Sequence, residues 1–337
     1  MPTKQADFTE PTNQGELKMM KSLYRSALLA GALATAAVPA SAEEFVRVGG
    51  GLAGTLPIFA AKLVELIHEN VPDVKANVVS GDIEKSLIQV EAGEMDVMIS
   101  PTFQTKQVFD GNGSLGMATP KLRHLITLYG ANIQPVAKAG GVTTLPELAE
   151  GQNRVWTGQK SGFFYQVYAP MMEATGISVD DITKAGGVIE TYGYLDEVQG
   201  FQDGRLDAGI FAGPTPYGLL MQIEDNPGFQ LIEMSDADLK KLEEILPGMG
   251  SRVIPAGTYK GQDKDIATPY YVNQLVVSED MSDDMAYTIT KIMYENADSF
   301  HGLFAGSEEI DNKDVTAYNK IPLHPGAEKF YKEVGAN

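Results

Sequence analysis

The chain has 337 residues, enough for two domains and ample to bury a core. Its composition, 43% hydrophobic and 21% charged, is that of a globular protein. A formal net charge of −19 argues against a nucleic-acid binder and against binding to anionic membrane surfaces. The absence of cysteine excludes disulfides and thiolate chemistry, and only 4 histidines disfavour a multi-histidine metal site.

The N-terminal region has the pattern of an export signal. Lys21 and Arg25 precede an apolar run, 27–38, and small residues at 40–42 supply a cleavage site. The run is too short to span a bilayer, and a buried helix is the alternative interpretation. We therefore assign residues 1–42 to an N-terminal extension and a cleaved signal. Cleavage after Ala42 predicts a soluble protein in the periplasm.

Strand-like and helix-like segments alternate along the rest of the chain, which is typical of an α/β fold. Glycines and other turn residues separate the segments, and the segment 254–265 is predicted to be a loop. Strands are predicted at 45–48, 75–79, 96–99, 123–137, 154–157, 189–194, 207–211 and 270–277. Helices are predicted at 58–69, from 83 until Gly93 ends the helix, and at 163–175, 197–202 and 283–300.

Two parts of the chain share a turn pattern. Gly93-Glu94-Met95-Asp96 and Gly204-Arg205-Leu206-Asp207 both lead from a predicted helix into a predicted strand. We predict two α/β domains joined by a two-strand hinge, one formed by 43–137 plus 266–337 and the other by 138–265. This layout is that of a hinge-bending clamp, which closes on a ligand between its lobes.

The segment Gly49–Gly54 matches G-x-G-x-x-G directly after a strand and before a helix, and Asp82 follows the next strand. An exported nicotinamide or flavin enzyme is therefore an alternative, although free dinucleotide is scarce outside the inner membrane. A simple tight turn is another alternative. In each case the glycines let backbone amides approach a ligand, and a helix N-terminus favours an anion.

Other predicted strand ends also carry polar or small residues, and ligands of open α/β sheets lie at such ends. Each candidate has a structural alternative: Lys160 is a solvated cation, Ser161 and Asp82 are helix caps, and a tyrosine is a core residue. The candidate ligand-binding residues are Gly51, Gly54, Thr55, Ser80, Gly81, Asp82, Ser100, Thr102, Lys160, Ser161, Gly162, Phe163, Tyr192, Gly213 and Thr215.

The sequence lacks the common hydrolytic signatures. It contains neither G-x-S-x-G nor H-E-x-x-H, and the four histidines are far apart along the chain. No catalytic residue, cofactor or metal site is therefore predicted, and the chain is not expected to be an enzyme.

Two C-terminal segments resemble those of a known family. Ile254–Asp263 is similar to its PAGTY-x-GQ segment, and Ile321–Ala327, followed by Phe330 and Tyr331, is similar to its P-L-H-P-G-A…Y ending. The chain resembles the solute-binding proteins of TAXI-type tripartite ATP-independent periplasmic (TRAP) transporters. That resemblance implies a two-lobed periplasmic binding protein of type II-like build. It also implies capture of a small organic anion, such as a carboxylate or amino acid. The solute passes to a TRAP-type permease driven by an ion gradient.

The resemblance extends to part of the predicted site. Gly51, Gly54 and Thr55 match the family's first glycine loop, whereas the other loops depart from the family pattern. These departures imply a different anion from glutamate, or an uncharged solute. The segments near Tyr259 and His324 are expected to fix packing rather than to bind ligand. A binding protein of an ATP-driven importer, or a sensor, is the alternative function.

Overall fold

Apolar alternation and glycine turns produce ten strands and ten α-helices within residues 44–52 and 54–336, which this computed structural model describes. The predicted signal and the cleavage position after Ala42 lie outside the described residues. The strands are β1 (Glu44–Gly49), β2 (Val74–Val79), β3 (Val97–Pro101), β4 (Leu122–Lys138), β5 (Arg154–Trp156), β6 (Val188–Glu190), β7 (Ala208–Gly213), β8 (Phe229–Leu231), β9 (Met249–Ile254) and β10 (Ile266–Ser278). The helices are α1 (Leu56–Asn70), α2 (Ile83–Glu91), α3 (Thr102–Phe109), α4 (Phe163–Ala174), α5 (Val179–Lys184), α6 (Glu197–Gln202), α7 (Gly218–Met221), α8 (Asp236–Ile245), α9 (Asp283–Glu295) and α10 (Pro325–Val334).

All ten strands belong to one mixed sheet with the order β2-β1-β3-β10-β4-β7-β5-β6, with β8 paired to β4 and β9 to β10. The outer strands are parallel to their neighbours, β1 to β2 and β3, and β5 to β6 and β7. The long central strands β4 and β10 are antiparallel to each other. This arrangement confirms the predicted α/β fold class. No helix of the described residues is long and apolar enough to span a membrane.

Three hydrophobic cores flank the sheet. The central core draws on residues 131–271 together with Phe103. The N-terminal core draws on 46–129 and 275–331, and a small third core contains Leu87 and Val276. The first part of β4 packs in the N-terminal core and its last part in the central core, and β10 makes the same passage in reverse. Each of these two strands therefore passes from one core to the other along its length. The predicted domain boundaries, after residue 137 and before residue 266, stay a prediction.

The two predicted G-x-x-D turns have the same geometry. Gly93 and Gly204 both have positive φ, 73° and 65°. Asp96 accepts from the backbone N–H of Arg47 at 2.7 Å, and Asp207 accepts from that of Arg154 at 2.8 Å. Each arginine also donates a guanidinium N–H to the carbonyl of the turn glycine. The same device therefore joins β1 to β3 and β5 to β7, which places α1 and α4 after equivalent strands.

Two predicted elements end earlier than expected. The strand predicted over 189–194 stops at Glu190, because the next carbonyl it could offer, that of Tyr192, accepts from the Trp156 indole N–H at 2.9 Å. The helix predicted over 283–300 stops at Glu295. There the Asn296 side chain donates to Ile292 O at 2.8 Å, and a short 3-10 helix follows. Other elements were not predicted from the sequence, namely helices α3, α5, α7, α8 and α10 and strands β8 and β9.

Candidate functional site

A cleft of about 700 Å³ lies where the carboxyl ends of strands from both halves of the sheet meet. It is lined by Gly54 after β1, Gly81 after β2 and Pro101 at the end of β3. From the other half come Gly162 after β5 and Gly213 at the end of β7. Its volume falls within the ~300–1,000 Å³ typical of small-molecule sites. This is the position at which ligands bind in open α/β sheets.

Three helices begin at this cleft: α1 after Thr55, α2 after Asp82 and α4 after Gly162. The Asp82 carboxylate accepts from Lys85 N at 3.2 Å and so caps α2. Neither Thr55 nor Gly162 caps its helix with a side chain. The first-turn amides of α1 and α4 are therefore left to other acceptors, and a helix N-terminus attracts an anion.

Five aromatic side chains, which we call the aromatic wall, line the cleft: Phe163, Phe164, Tyr194, Tyr217 and Tyr271. The rings of Phe164 and Tyr194 stack with centroids 4.2 Å apart and an interplanar angle of 24°. Phe163 meets Phe164 and Tyr271 edge-on, at 5.2 and 5.6 Å. The wall therefore offers a continuous aromatic surface whose members fix one another's orientation.

Hydrogen bonds hold two tyrosines of the wall, Tyr194 and Tyr217, from behind. The Tyr194 hydroxyl donates to that of Tyr217 at 3.0 Å. Burial raises the pKa of Tyr194 well above its usual value, so its hydroxyl stays neutral. The Tyr217 backbone N–H donates to the Tyr259 hydroxyl at 2.8 Å, which itself donates to Gln134 Oε1 at 2.6 Å. Tyr259, within the segment that resembles PAGTY-x-GQ, thus positions a cleft residue without lining the cleft.

Asp82 and Lys85 are the charged side chains among the described residues that line the cleft. Beside them lies Glu84, 2% exposed. The Glu84 carboxylate accepts from Leu115 N at 2.7 Å, from Ser114 N at 3.1 Å and from the Ser114 hydroxyl. These bonds hold the loop at 114–115 against the cleft and occupy the Glu84 oxygens.

Eight of the predicted site residues line this cleft. They come from four separate junctions of strand and helix, which the fold brings to one place. They are Gly54, Thr55, Gly81, Asp82, Ser161, Gly162, Phe163 and Gly213. Contact of these residues with a ligand stays a prediction.

Two predicted hydroxyls serve the interior instead. Ser100 is fully buried and its hydroxyl pairs with that of Thr105. Thr102 is 1% exposed and donates to Gly248 O at 2.7 Å. Because both side chains point into the protein from the end of β3, neither lines the cleft.

The other five predicted residues also lie outside the lining. Ser80 and Lys160 are exposed, and Gly51 is buried with a φ of 66°. Tyr192 directs its hydroxyl to Gly200, so it packs on α6 rather than on the cleft. Thr215 donates to Asn132 Oδ1 at 3.1 Å. Tyr194, two residues after Tyr192, occupies the place in the cleft that was predicted for Tyr192.

Most of the aromatic wall was not predicted from the sequence. Phe164, Tyr194, Tyr217 and Tyr271 line the cleft but were not among the predicted site residues. Phe164 was the easiest to find, because it directly follows Phe163 at the start of α4. For the tyrosines the sequence offers no signal that separates a cleft residue from a core residue.

The glycine motif is explained in part by packing. A Cβ at Gly49 would collide with Met98, and one at Gly50 would crowd Val78 and Ala60. Close contact of β1 with neighbouring side chains thus requires both glycines, with no ligand involved. Gly54 is the glycine of the motif that lines the cleft, and it has a φ of 75° and open space where a Cβ would stand.

Known proteins of similar architecture include two binding proteins. The alkanesulfonate-binding protein SsuA from Xanthomonas axonopodis pv. citri, bound to MOPS, is 13% identical. It matches 86% of this chain and 83% of its own, with a TM-score of 0.46. A binding protein component of an ABC phosphonate transporter from Pseudomonas aeruginosa is 8% identical. It matches 80% of this chain and 78% of its own, with a TM-score of 0.47.

A family model matches most of the sequence and not only short motifs within it. The model of the NMT1-like family aligns with residues 49–335, from the end of β1 to the residue after α10. Every residue that lines the cleft lies within this range. The chain belongs to the NMT1-like family.

Proposed function

We propose that this chain is a solute-binding protein that captures a small organic anion in the cleft and delivers it to a membrane permease. One observation carries the proposal: helices from both halves of the sheet begin at the same cleft, and two of them have no side-chain cap. Unbonded amides on opposite sides of a cleft suit an anionic group held between them. The chain performs no covalent chemistry on the solute.

The polar contacts of the solute follow from the lining. Backbone amides at Gly54 and Ser161 hold its anionic group, and the Ser161 hydroxyl adds a donor. The Gly162 N–H is not a donor to the solute, because it already donates to Gln159 O at 2.8 Å. Thr55 contributes less than expected, because its hydroxyl already pairs with that of Tyr129 at 2.6 Å. Closure of the two halves about β4 and β10 then buries the solute and forms the surface that the permease recognises.

We propose a TRAP-type permease as the partner and the periplasm as the location. The resemblance of Ile254–Asp263 and Ile321–Ala327 to segments of TAXI-type proteins supports the partner. The predicted export signal in residues 1–42 supports the location. Uptake of solute by cells that carry the protein and its permease should stop when an ionophore collapses the ion gradient. Uptake that requires ATP and continues without the ion gradient would instead assign the chain to an ATP-driven importer.

Solute capture itself is tested by a thermal-shift screen against carboxylates, amino acids, sulfonates, sugars and a dinucleotide. A ligand that binds the folded state alone stabilises it by about 2.7 kcal/mol at a hundredfold excess over its dissociation constant. We expect a clear increase in melting temperature with an organic anion. An increase with a dinucleotide and with no other compound would instead favour the exported enzyme.

A further inference from the structure

We infer that the solute carries an aromatic ring, or a comparably flat apolar body, on a single anionic head. This inference rests on the proposed function, which supplies the anionic head, and it adds the class of the body. Three features carry it: the aromatic wall, the aliphatic residues at the mouth of the cleft and the charges that line it.

The aromatic wall is built to present ring faces and edges to a ligand. The stacked pair of Phe164 and Tyr194 is backed by Trp156, whose ring lies 5.1 Å from that of Phe164 and meets it edge-on. Phe163 and Tyr271 extend the same surface. All five rings of the wall belong to or pack against the central core, so the wall is held in place before any ligand binds. A flat apolar body gains most from such a surface.

Aliphatic side chains are exposed at the same cleft. Leu52 is 72% exposed and Leu115 is 46% exposed, and both line it. The Leu115 backbone is fixed by its hydrogen bond to the buried Glu84. Large apolar groups that line a cleft and remain open to water mark a surface that an apolar ligand covers.

The charges leave room for one anionic group. Lys85 is the cation among the described residues of the lining, and no arginine is among them. Asp82 supplies an opposing negative charge. A dicarboxylate would place its second carboxylate against aromatic rings without a partner, and an unpaired buried charge is strongly unfavourable. A solute with one anionic head at the helix N-termini and an uncharged body against the aromatic wall leaves no charge of its own unpaired in the cleft.

The test uses Trp156, the one tryptophan of the sequence, as its reporter. Its fluorescence is titrated with phenylacetate and with three probes: phenylacetamide, phenethylamine and succinate. Phenylacetamide replaces the carboxylate by a neutral amide, and phenethylamine carries a cation in its place. Succinate has a second carboxylate and no ring. We expect phenylacetate to bind at least tenfold more tightly than each of them, which corresponds to about 1.4 kcal/mol. Calorimetry repeats each titration without relying on the tryptophan.

A variant pair locates the site. Phe164→Leu should weaken phenylacetate binding at least tenfold. Phe109→Leu, which alters a half-buried ring packed on the third core, should leave binding unchanged. Equal affinity of Phe164→Leu and wild type would overturn the role of the wall.

The outcomes separate the two proposals. Succinate, phenethylamine or phenylacetamide binding as tightly as phenylacetate overturns the aromatic monoanion, whereas the proposed function stands if an organic anion binds. Absence of binding by all four compounds also overturns this inference. The proposed function is then decided by the broader thermal-shift screen, in which non-aromatic anions are present.

Discussion

Gly213 ends β7 with its backbone against the ring of Tyr217, where an added Cβ would collide with that ring. Gly213→Ala should therefore force Tyr217 away and lower the free energy of unfolding by about 1–3 kcal/mol, the usual effect of overpacking. Gly218→Ala is the matched control, because nothing lies within 4 Å of a Cβ there. Urea unfolding measures both variants. A Gly213→Ala variant as stable as wild type would show that the Tyr217 ring can move aside at no cost in stability.

Glu197 is a fully buried carboxyl on α6, and burial raises its pKa well above the usual 4.5. One oxygen accepts from Ile210 N at 2.9 Å. The unfolded chain releases this proton near pH 4.5, whereas the folded chain retains it to higher pH. The stabilising contribution is therefore complete below the unfolded pKa and is lost as pH rises toward the folded pKa.

Glu197→Gln should remove this pH dependence. Relative to wild type, the variant should gain stability as pH rises above 4.5, by at most about 1.4 kcal/mol per pH unit. Urea unfolding at several pH values measures the difference, in which the titration of His124 and other shared groups cancels. The exposed Glu173→Gln should follow wild type. A difference that does not change with pH would mean that Glu197 titrates alike in both states.

At the scale of single residues, the sequence predicts those cleft positions where a small residue lets the backbone approach a ligand. Gly81 and Gly162 were found because small residues at strand ends allow close approach of the chain to a ligand. Ser100 and Thr102 were misjudged because the direction of a side chain at the end of β3 depends on how the strand packs. The tyrosines of the wall were missed because tyrosine occurs both in buried cores and in ligand clefts, and the sequence does not distinguish the two positions.

The repeated turns at Gly93–Asp96 and Gly204–Asp207 show how an element is fixed by one carboxylate. Asp96→Ala and Asp207→Ala would each leave a backbone N–H, of Arg47 or Arg154, without its acceptor. Each substitution should lower the free energy of unfolding by about 1–3 kcal/mol.

Asp203→Ala serves as the control for that pair, because Asp203 is exposed and forms a surface ion pair with Arg205. Its effect should stay within about 0.5 kcal/mol. Equal stability of all three variants in urea unfolding would contradict the role of the turns.

Most strands and the helices α1, α2, α4 and α9 could be predicted because their apolar period is strong, whereas α8 and α10 were not predicted. β4, an apolar run over 122–138, and α4, from 163 to 174, lie within one residue of the prediction at each end. The ends of the two shortened elements depend on particular side chains. The Trp156 indole takes the carbonyl that would have extended β6, and Asn296 ends α9. Such long-range or capping bonds are not visible in local periodicity.

At the scale of the whole molecule, the two sides of the cleft are joined by Gln166 of α4. Its Nε2 donates to Glu84 Oε2 at 3.3 Å, and its Oε1 accepts from Gln104 at 3.2 Å. Glu84 lies on α2 and Gln104 on α3, whereas the next residue of α4, Val167, packs in the central core. These bonds favour the arrangement in which the two sides are close.

Gln166→Ala should shift the population toward a more open form and weaken solute binding severalfold, because affinity falls with the fraction of the competent state. Calorimetric titration with the tightest solute measures the effect. Gln199→Ala, which removes an exposed glutamine bonded to Asp203, should bind as wild type does. Unchanged affinity in Gln166→Ala would show that the hydrogen bonds of Gln166 do not favour the closed form.

The central claim is that the chain captures an organic anion in the cleft between the two halves of its sheet. A crystal structure of the protein with the tightest solute of the screen tests it most directly. We predict density for the solute in the cleft, with its anionic group at the amides near Gly54 and Ser161 and its body against Phe164 and Tyr194. Density at another surface, with the cleft filled by solvent alone, would contradict the claim.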